Sequence, residues 1–353
     1  DGLPAFEKLV FRFIPDREQA LSALLAGECD YLDETNHLEM QLGKLTELET
    51  KGQIKVAYQP GGAWEHLDFA IASFVDPQSG GALPFFQLKE TRQAAALCID
   101  RQRMVDELFA GKTVAPDVYL PSDHPLFNPE VKRYAFDPKA GSKLLEEAGW
   151  LDADSQPTTP RLAQGVAGMP DGTPFEVALL TTDDDEKQRA AQILQESLAQ
   201  CGIKVNINAV AQEALFAPGP EGALFGRNFT LAQFGWVSSV EPPCFLYTTG
   251  EVPGPYPQYP KGWGGANASG YSNSEYDRLC RQAGAALPEE PQYRSAHAQA
   301  QAIYAEDLPS LPLYLRLKII AMRADMCHVI LDASADSALW NLEQFNYGKT
   351  CAP

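Results

Sequence analysis

The sequence is short of positive charge and of long apolar runs. Among its 353 residues, 28 are Lys or Arg and 47 are Asp or Glu, which gives a formal net charge of −19. A surface this acidic repels phosphate backbones, so nucleic acid is not expected among the partners. No run of about 18 apolar residues occurs, so the sequence predicts no membrane-spanning helix. The two absences argue against a nucleic-acid-binding protein and against a membrane enzyme.

The sequence also lacks the short motifs that carry catalysis or hold a metal. It has no G-x-S-x-G, G-x-x-x-x-G-K or H-E-x-x-H stretch. Its five histidines and seven cysteines show no H-x-x-x-H or C-x-x-C spacing. We therefore expect no metal site and no cofactor. A pair of Asp or Glu residues for glycoside hydrolysis stays open, because an acidic chain offers many candidate pairs.

The apolar periodicity predicts helices that alternate with strands. Residues 6–14 (FEKLVFRFI) alternate like a half-buried strand, and a helix is expected from the N-cap Asp16 to Gly27. A second helix is expected from His37 to Gly52, so the first 60 residues follow a β-α-β-α-β order. The clearest unit is the strand FEVALLT at 175–181, a helix that ends near Gly202, and the strand IKVNINAV. This order predicts an α/β protein with a parallel or mixed sheet.

Four consecutive acidic residues, Asp183 to Glu186, lie between the strand and the helix of that unit. Such a run resembles a calcium-binding or catalytic cluster. Carboxylates at a helix start, however, commonly accept hydrogen bonds from free amides and favour the positive end of the helix dipole. We interpret this run as a helix cap.

Aromatic residues are concentrated between 236 and 271, in a segment rich in Gly and Pro. On loops, aromatic side chains suit a cleft that stacks on a ligand. They are equally typical of a small hydrophobic cluster beneath a long loop, and both interpretations stay open. The residues concerned are Trp236, Phe245, Tyr247, Tyr256, Tyr259, Trp263 and Tyr271.

Three stretches resemble a known family. They are TRQAAALCIDRQRMVDELFAGKTVAPDVYLPSDHP from Thr91, YAFDPKAGSKLLEEAGW from Tyr134 and FTLAQFGWVSSVEPPCFL from Phe229. In this order they are similar to the family 5 extracellular solute-binding proteins of ABC importers, which include oligopeptide-, dipeptide- and nickel-binding proteins. The third stretch corresponds to the strand-to-helix turn that carries a ligand-facing Trp, here Trp236.

The resemblance implies a two-lobed, periplasmic-binding-protein-like α/β fold of type II, cluster C. Family members are longer, so we expect a chain truncated at its N-terminus. Residues 1–73 would be a remnant of lobe 1, a mixed sheet with helices. Residues 74–323 would be an intact lobe 2, the ligand-binding α/β domain, and residues 324–353 would return to lobe 1.

The function that the resemblance implies is capture of a peptide-like or other small solute between two lobes and its delivery to the transmembrane subunits of an ABC permease. Such proteins perform no catalysis. We expect a monomer in the periplasm or outside the cell, attached to the membrane only through an N-terminal anchor missing from this chain. The alternatives are a secreted carbohydrate hydrolase with an Asp/Glu pair and a cytoplasmic regulator of the same fold, which a DNA-binding helix-turn-helix would precede.

The resemblance also ranks the candidate ligand-binding residues. In the peptide binders, an Asp three positions after the Trp holds the peptide's amino terminus, and this position is Ser239 here. The Arg that some members carry three positions before the Trp is Gln233. A neutral hydroxyl cannot form the charge-assisted bond of a carboxylate, which weakens the assignment to free peptides. The full set is Trp236, Ser239, Gln233 and Glu241, followed by His66, Trp64, Tyr271 and Asn267, with Tyr256 and Trp263 as weaker candidates.

An extracytoplasmic location, which the family implies, favours disulfide bonds. We expect one bridge between Cys244 and Cys280, on either side of the aromatic loop, and a second between Cys327 and Cys351, near the C-terminus. Cys29, Cys98 and Cys201 are expected as buried free thiols. Seven is an odd number, so at least one thiol is unpaired within the chain.

Overall fold

The computed structural model describes residues 4–75, 81–154, 156, 159–238, 240–348 and 351. The chain divides into two compact units. One consists of Asp1–Gly62, Val105–Val114 and Leu315–Pro353, and the other of Ala63–Met104 and Ala115–Tyr314. The assignment of lobes 1 and 2 to residues 1–73, 74–323 and 324–353 stays a prediction.

Helices and strands are numbered in chain order. The helices are α1 (Arg17–Leu25), α2 (Leu42–Thr50), α3 (Lys89–Leu97), α4 (Arg101–Phe109), α5 (Pro138–Glu147), α6 (Asp185–Ala199), α7 (Gln212–Leu215), α8 (Ser274–Ala285) and α9 (Pro291–Asp307). The strands are β1 (Tyr31–Leu32), β2 (Ile54–Phe69), β3 (Trp150–Leu151), β4 (Leu162–Ala163), β5 (Glu176–Thr182), β6 (Lys204–Val210), β7 (Leu231–Val237), β8 (Ser310–Arg323), β9 (Met326–Cys327) and β10 (Asn346–Tyr347). Throughout the described ranges, every helix falls short of the length or apolarity needed to cross a bilayer.

The unit that begins at residue 1 contains α1, α2 and β1, the first part of β2 and the last part of β8. Strand β1 pairs antiparallel with β8, with Tyr31 opposite Met322, and β10 pairs antiparallel with β9. A small core of buried residues includes Ile320, Met322 and Phe345. The predicted N-cap Asp16 is confirmed, because its carboxylate accepts a hydrogen bond from the Gln19 amide at 2.8 Å.

The strand predicted at 6–14 is wrong. The structure assigns no helix or strand to Phe6–Ile14, and Phe11 and Phe13 are exposed. Alternation of apolar residues indicates a strand only where a neighbouring strand pairs with it, and the described residues provide none for this segment. The helix predicted from His37 to Gly52 is shorter than expected: a 3-10 turn at Leu38–Gln41 precedes α2.

The second unit is built on a mixed sheet in the order β8-β2-β7-β5-β6. Strand β7 is antiparallel to β2 and parallel to β5, and β5 is parallel to β6. The predicted β5-α6-β6 unit and the predicted mixed α/β sheet are confirmed. The acidic run also acts as a cap, since Asp184 is the N-cap of α6 and accepts from the amide of Lys187.

Two buried arginines of the first family-like stretch bind backbone carbonyl groups within this unit. Arg92 on α3 donates to the carbonyls of Phe86 at 2.8 Å and Gln87 at 2.9 Å. It also donates to the carbonyl of Asp307 at 2.6 Å and to that of Leu308 at 3.0 Å. Arg92 therefore links the start of α3 to the end of α9, where the last carbonyl groups of a helix would otherwise lack a hydrogen-bond donor.

Arg101, at the start of α4, plays a similar part. Its guanidinium donates to the carbonyls of Pro116 at 2.6 Å and Pro312 at 3.0 Å. A third bond goes to the carbonyl of Tyr134 at 3.0 Å, and Asp117 lies 3.6 Å away as a counter-charge. Both arginines therefore have structural roles, and neither lines the cavity described below.

Three disulfide bonds join cysteines within the described residues. The expected bridges Cys244–Cys280 and Cys327–Cys351 both form. The expectation of free thiols at Cys98 and Cys201 is wrong, because these residues form a third bridge with a Cα–Cα distance of 6.2 Å. They are 103 positions apart, and the fold brings together the C-terminal ends of α3 and α6. Cys29 has a free thiol, and it is partly exposed, not buried as expected.

Candidate functional site

The sheet of the second unit reverses its direction of winding at β5. Helix α6 leads from β5 to β6 on one side, while β7 lies parallel to β5 on the other side. In open α/β sheets, ligands bind outside the carboxyl ends of strands at such a switch point. The carboxyl end of β7 is therefore where the topology alone predicts a site.

A cavity of about 460 Å³ lies at this end of β7. Most of its wall is apolar, and it carries one ionisable side chain. The lining residues are Gly235, Trp236, Val237, Glu241, Pro243, Phe245, Leu246 and Ala266. An apolar cleft with few polar groups is the usual form of a small-molecule site.

Trp236 forms the aromatic part of this wall. It lies on β7 directly opposite Trp64 on β2, and its indole contacts the ring of Phe234 edge-on at 5.7 Å. The side chain is partly buried against the core of the unit. Packing against this core holds the side chain in place, and Trp236 is also one of the residues that line the cavity.

Glu241 is held from the side of helix α9. The Tyr293 hydroxyl donates to Oε2 of Glu241 at 2.6 Å, and Nε2 of His297 lies 3.3 Å from Oε1. Tyr293 and His297 are four residues apart and so share one face of the helix, with their rings 4.7 Å apart. Glu241 itself is exposed, with 59% of its side chain accessible.

The protonation states at this contact follow from burial. Burial, and then the bond to Glu241, raises the pKa of Tyr293 to about 12, so its hydroxyl stays a donor. Burial lowers the pKa of His297 below its ordinary value, and the nearby Glu241 carboxylate only partly opposes this effect. At pH 7 the imidazole of His297 is therefore neutral, so its contact with Glu241 is not an ion pair.

Three of the sequence-predicted residues lie in the interior on the paired strands β2 and β7. Gln233 is fully buried on the face of β7 opposite to that of Trp236, as an odd spacing in a strand requires. Trp64 and His66 are also buried, and the His66 ring packs 4.3 Å from Phe234 and 4.6 Å from Trp64. None of the three lines the cavity.

His66 approaches a buried carboxyl group. Its Nε2 atom lies 3.3 Å from Oδ1 of Asp68, and both side chains are shielded from solvent. Burial raises the pKa of Asp68 above its ordinary value, and His66 opposes the rise. Within the described part of the chain, the side-chain amide nitrogen and oxygen of Gln233 are buried and make no hydrogen bond.

The candidates on the long loop organise the loop itself. The amide of Asn267 donates to the carbonyls of Thr248 at 3.0 Å and Tyr271 at 2.9 Å, while its oxygen accepts from the hydroxyl of Ser269. The Tyr271 hydroxyl donates to Asp307 at 2.6 Å. These groups are buried and already bonded, so the structure gives them a structural role.

The remaining candidates are more dispersed. Tyr256 is exposed, and Trp263 packs against Phe74 with the ring centres 5.0 Å apart. Ser239 lies outside the described residues. The aromatic segment therefore contains both structures that the sequence left open, with Trp236 and Phe245 on a cavity wall and Tyr247 and Tyr271 in the packed interior.

Sequence reasoning did not find Tyr293 and His297. Their spacing of four along a helix was visible, but nothing in the sequence indicated that α9 faces Glu241. Within the described ranges, no group of three or more His, Cys, Asp and Glu side chains is placed to hold a metal ion. The hydrolase alternative needs two carboxylates, and the lining of this cavity supplies one.

Comparison with known proteins gives one family. The profile of bacterial extracellular solute-binding proteins, family 5 Middle, matches residues 1–255. Heme-binding protein A of Haemophilus influenzae is 23% identical over 316 residues, which cover 88% of this chain and 49% of that protein. The oligopeptide-binding protein AppA of Bacillus subtilis is 23% identical over 328 residues, which cover 91% and 53%. The chain thus spans about half the length of the curated relatives it matches.

The fold comparison agrees with the family. The crystal structure of the oligopeptide-binding protein from Thermus thermophilus, complexed with a pentapeptide, matches with a TM-score of 0.75 and 26% identity. The match covers 95% of this chain and 56% of that one. It confirms the predicted periplasmic-binding-protein-like α/β fold, and the matching proteins are binding proteins, which does not support the hydrolase alternative. The chain belongs to the family of bacterial extracellular solute-binding proteins, family 5.

Proposed function

We propose that this chain is part of the solute-binding component of an ABC importer, and that it binds a small solute in the cavity beside Trp236 and hands it to a permease without chemical change. The observation that carries the proposal is the position of this cavity. It lies at the carboxyl end of β7, where both the sheet topology and the family resemblance predict the ligand. The protein would work outside the cytoplasm.

The disulfide bonds support this location. Three bridges among seven cysteines are typical of an oxidising compartment and rare in the cytosol. They argue against the alternative of a cytoplasmic regulator. They are also consistent with a periplasmic or surface-anchored protein.

The ligand class is open between peptides and other small solutes. The similar proteins bind different ligands by name: one is a heme-binding protein, and others bind oligopeptides. The cavity of about 460 Å³ has room for a ligand of di- or tripeptide size. Its wall consists mostly of apolar side chains and makes a highly charged solute unsuitable.

A thermal-shift screen tests the proposal. The 353-residue chain and the complete product of its gene are screened in parallel against di- to pentapeptides, oligosaccharides, heme, and nickel with small chelators. A ligand at 100 times its Kd stabilises a protein by about 2.7 kcal/mol, which is a readable change in Tm. We expect saturable stabilisation by one class of solute, with the solute recovered unchanged.

Two controls assign a positive result to the cavity. Trp236→Ala should reduce the stabilisation, whereas Trp340→Ala, which removes a half-exposed Trp from outside the cavity, should leave it in place. Hydrolysis or other conversion of the bound solute contradicts the proposal. So does the absence of stabilisation by every solute in both proteins.

A further inference from the structure

The cavity beside Trp236 has one wall that does not belong to the sheet. This wall is formed by residues 241–247, which we call the wall segment. It contributes four of the lining residues, Glu241, Pro243, Phe245 and Leu246. Its regular structure is a short 3-10 turn at Cys244–Tyr247. The hydrogen bonds of such a turn have poor geometry, so the position of the wall segment depends on the elements that pack against it.

Helix α8 holds the middle of the wall segment. The disulfide bond joins Cys244 to Cys280 on α8. The hydroxyl of Tyr276, one turn earlier on the same helix, donates to the carbonyl of Cys244 at 2.7 Å. Cys244, Cys280 and Tyr276 are all buried. Cys244 lies between the lining residues Pro243 and Phe245, and α8 therefore holds it through both its side chain and its main chain.

Helix α9 contacts both ends of the wall segment and also packs against α8. At the first end, the Tyr293 hydroxyl donates to Oε2 of Glu241 at 2.6 Å. At the other end, the hydroxyls of Tyr247 and Tyr304 lie 2.6 and 2.7 Å from Oγ of Ser310. Tyr304 belongs to α9, and its ring centre lies 5.2 Å from that of Tyr247. The wall segment is thus anchored to α8 and α9 at its start, middle and end.

We infer that Cys280 and Tyr276 are positioning residues of the solute site, and that the disulfide bond Cys244–Cys280 sets the affinity of the cavity. Neither Cys280 nor Tyr276 lines the cavity, so both act through the wall segment. A wall that is ordered before binding costs the solute less conformational entropy than a wall that binding must order. Loss of this bridge should therefore weaken binding even though β7 and Trp236 are unchanged. The inference rests on the proposed function and adds to it a dependence on disulfide formation.

The test compares two disulfide bonds of the same protein. One double variant, Cys244→Ala with Cys280→Ala, removes the bridge at the wall segment. The control, Cys327→Ala with Cys351→Ala, removes a bridge of the other unit, and neither of its cysteines lines the cavity. The two bridges span 36 and 24 positions, so the chain-entropy model gives them similar contributions to stability. A loss of affinity that only reflects lower stability would therefore appear in both double variants.

A second comparison leaves every disulfide bond in place. Tyr276→Phe removes the hydrogen bond to the carbonyl of Cys244. Its control is Tyr134→Phe, because Tyr134 is also buried, donates to the carbonyl of Ala305 at 3.0 Å and does not line the cavity. Both substitutions leave a carbonyl without its hydroxyl donor, but only the first affects the wall segment.

Two quantities are measured on the oxidised complete gene product and its variants, at temperatures below the onset of unfolding. The first is the rate of amide hydrogen exchange in the wall segment, which needs no solute. The second is the affinity for alanyl-phenylalanine, trialanine, the neutral dye phenylnaphthylamine and any solute found in the thermal-shift screen. Without the Cys244–Cys280 bridge, we expect faster exchange and about tenfold weaker binding, a difference of about 1.4 kcal/mol. Tyr276→Phe should change both quantities in the same direction, and the two controls should retain the values of the unmodified protein.

The outcomes separate this inference from the proposed function. Affinity that is unchanged without the Cys244–Cys280 bridge overturns the inference and leaves the proposed function intact, whether or not exchange in the wall segment becomes faster. Equal losses of affinity in the two double variants overturn it as well, because the effect then follows from stability alone. If the unmodified protein binds no probe and no solute of the wider screen, the proposed function fails and the inference fails with it.

Discussion

At the scale of single residues, the most unusual group is the carboxyl of Asp68. It is buried on β2, and burial raises its pKa, while the nearby His66 ring opposes the rise. An unfolded chain exposes the same carboxyl, which then ionises near its ordinary value of 3.8. Between that value and the higher pKa of the folded state, the folded protein binds the proton more tightly. The contribution of Asp68 to stability therefore falls as the pH rises through this window.

The direction of this pH dependence leads to a prediction for the stability of Asp68→Asn. The amide keeps the shape of the carboxyl and removes its titration, so the variant should gain stability relative to the unmodified protein as the pH rises above about 4, through the raised pKa of the folded protein. Each unit of pKa difference corresponds to about 1.4 kcal/mol. Urea unfolding at several pH values measures the change.

The matched control for this series is Asp332→Asn. Hydrogen bonds from Ser334 lower the pKa of Asp332, which is partly exposed, so this variant should lose stability relative to the unmodified protein as the pH rises. The two variants should therefore show opposite slopes. A stability difference for Asp68→Asn that stays constant with pH, or that falls, would show that folding does not raise the pKa of the buried carboxyl.

At the scale of elements, local signals predicted what local forces determine. The caps at Asp16 and Asp184 and the β5-α6-β6 unit follow from side-chain chemistry within a few residues, and the structure has all of them. The segment Phe6–Ile14 shows the limit. Its alternating pattern is real, but a strand also needs a neighbour to pair with, and the pattern contains no information about one.

The elements are also joined by contacts that no local pattern shows, and Arg92 provides a test. A lysine keeps the charge but cannot form the planar fork that reaches four carbonyls, so Arg92→Lys should leave some of them buried and unsatisfied. We expect a loss of roughly 2–4 kcal/mol in the free energy of unfolding, measured by urea denaturation. Arg278→Lys, on the exposed face of α8, is the control and should leave the unfolding midpoint unchanged. Equal effects of the two substitutions would mean that the carbonyl bonds of Arg92 do not contribute.

In the candidate site, too, the sequence predicted the residues of one local stretch and missed those brought in by long-range packing. Trp236 and Glu241 were predicted because they lie in one stretch of sequence that resembles a family motif, and the structure places both on one cavity wall. Tyr293 and His297 lie more than 50 residues further along the chain. Their contact with Glu241 depends on how α9 packs, which periodicity alone does not determine.

At the scale of the whole molecule, the disulfides depend most strongly on long-range structure. The bridges Cys244–Cys280 and Cys327–Cys351 span 36 and 24 positions and were predicted. Cys98–Cys201 spans 103 positions and was missed, because each cysteine lies in an apolar context typical of a buried thiol. In the chain-entropy model the stabilisation by a disulfide rises with the length of the loop that it closes. Of the three bridges, Cys98–Cys201 should therefore stabilise the folded protein most, by roughly 4.7 kcal/mol for a loop of about 100 residues.

A count of thiols distinguishes the structure from the sequence-based expectation. With six of seven cysteines paired, the unreduced protein in denaturant should show one reactive thiol, and the reduced protein should show seven. The single thiol belongs to Cys29, so Cys29→Ser should lower the count to zero without changing the bridges. Three reactive thiols, of which Cys29→Ser removes only one, would mean that Cys98 and Cys201 are reduced and that only the two shorter loops are closed. The count is made on protein oxidised in the compartment where it is secreted, because a cytosolic preparation would keep all the thiols reduced whatever the fold allows.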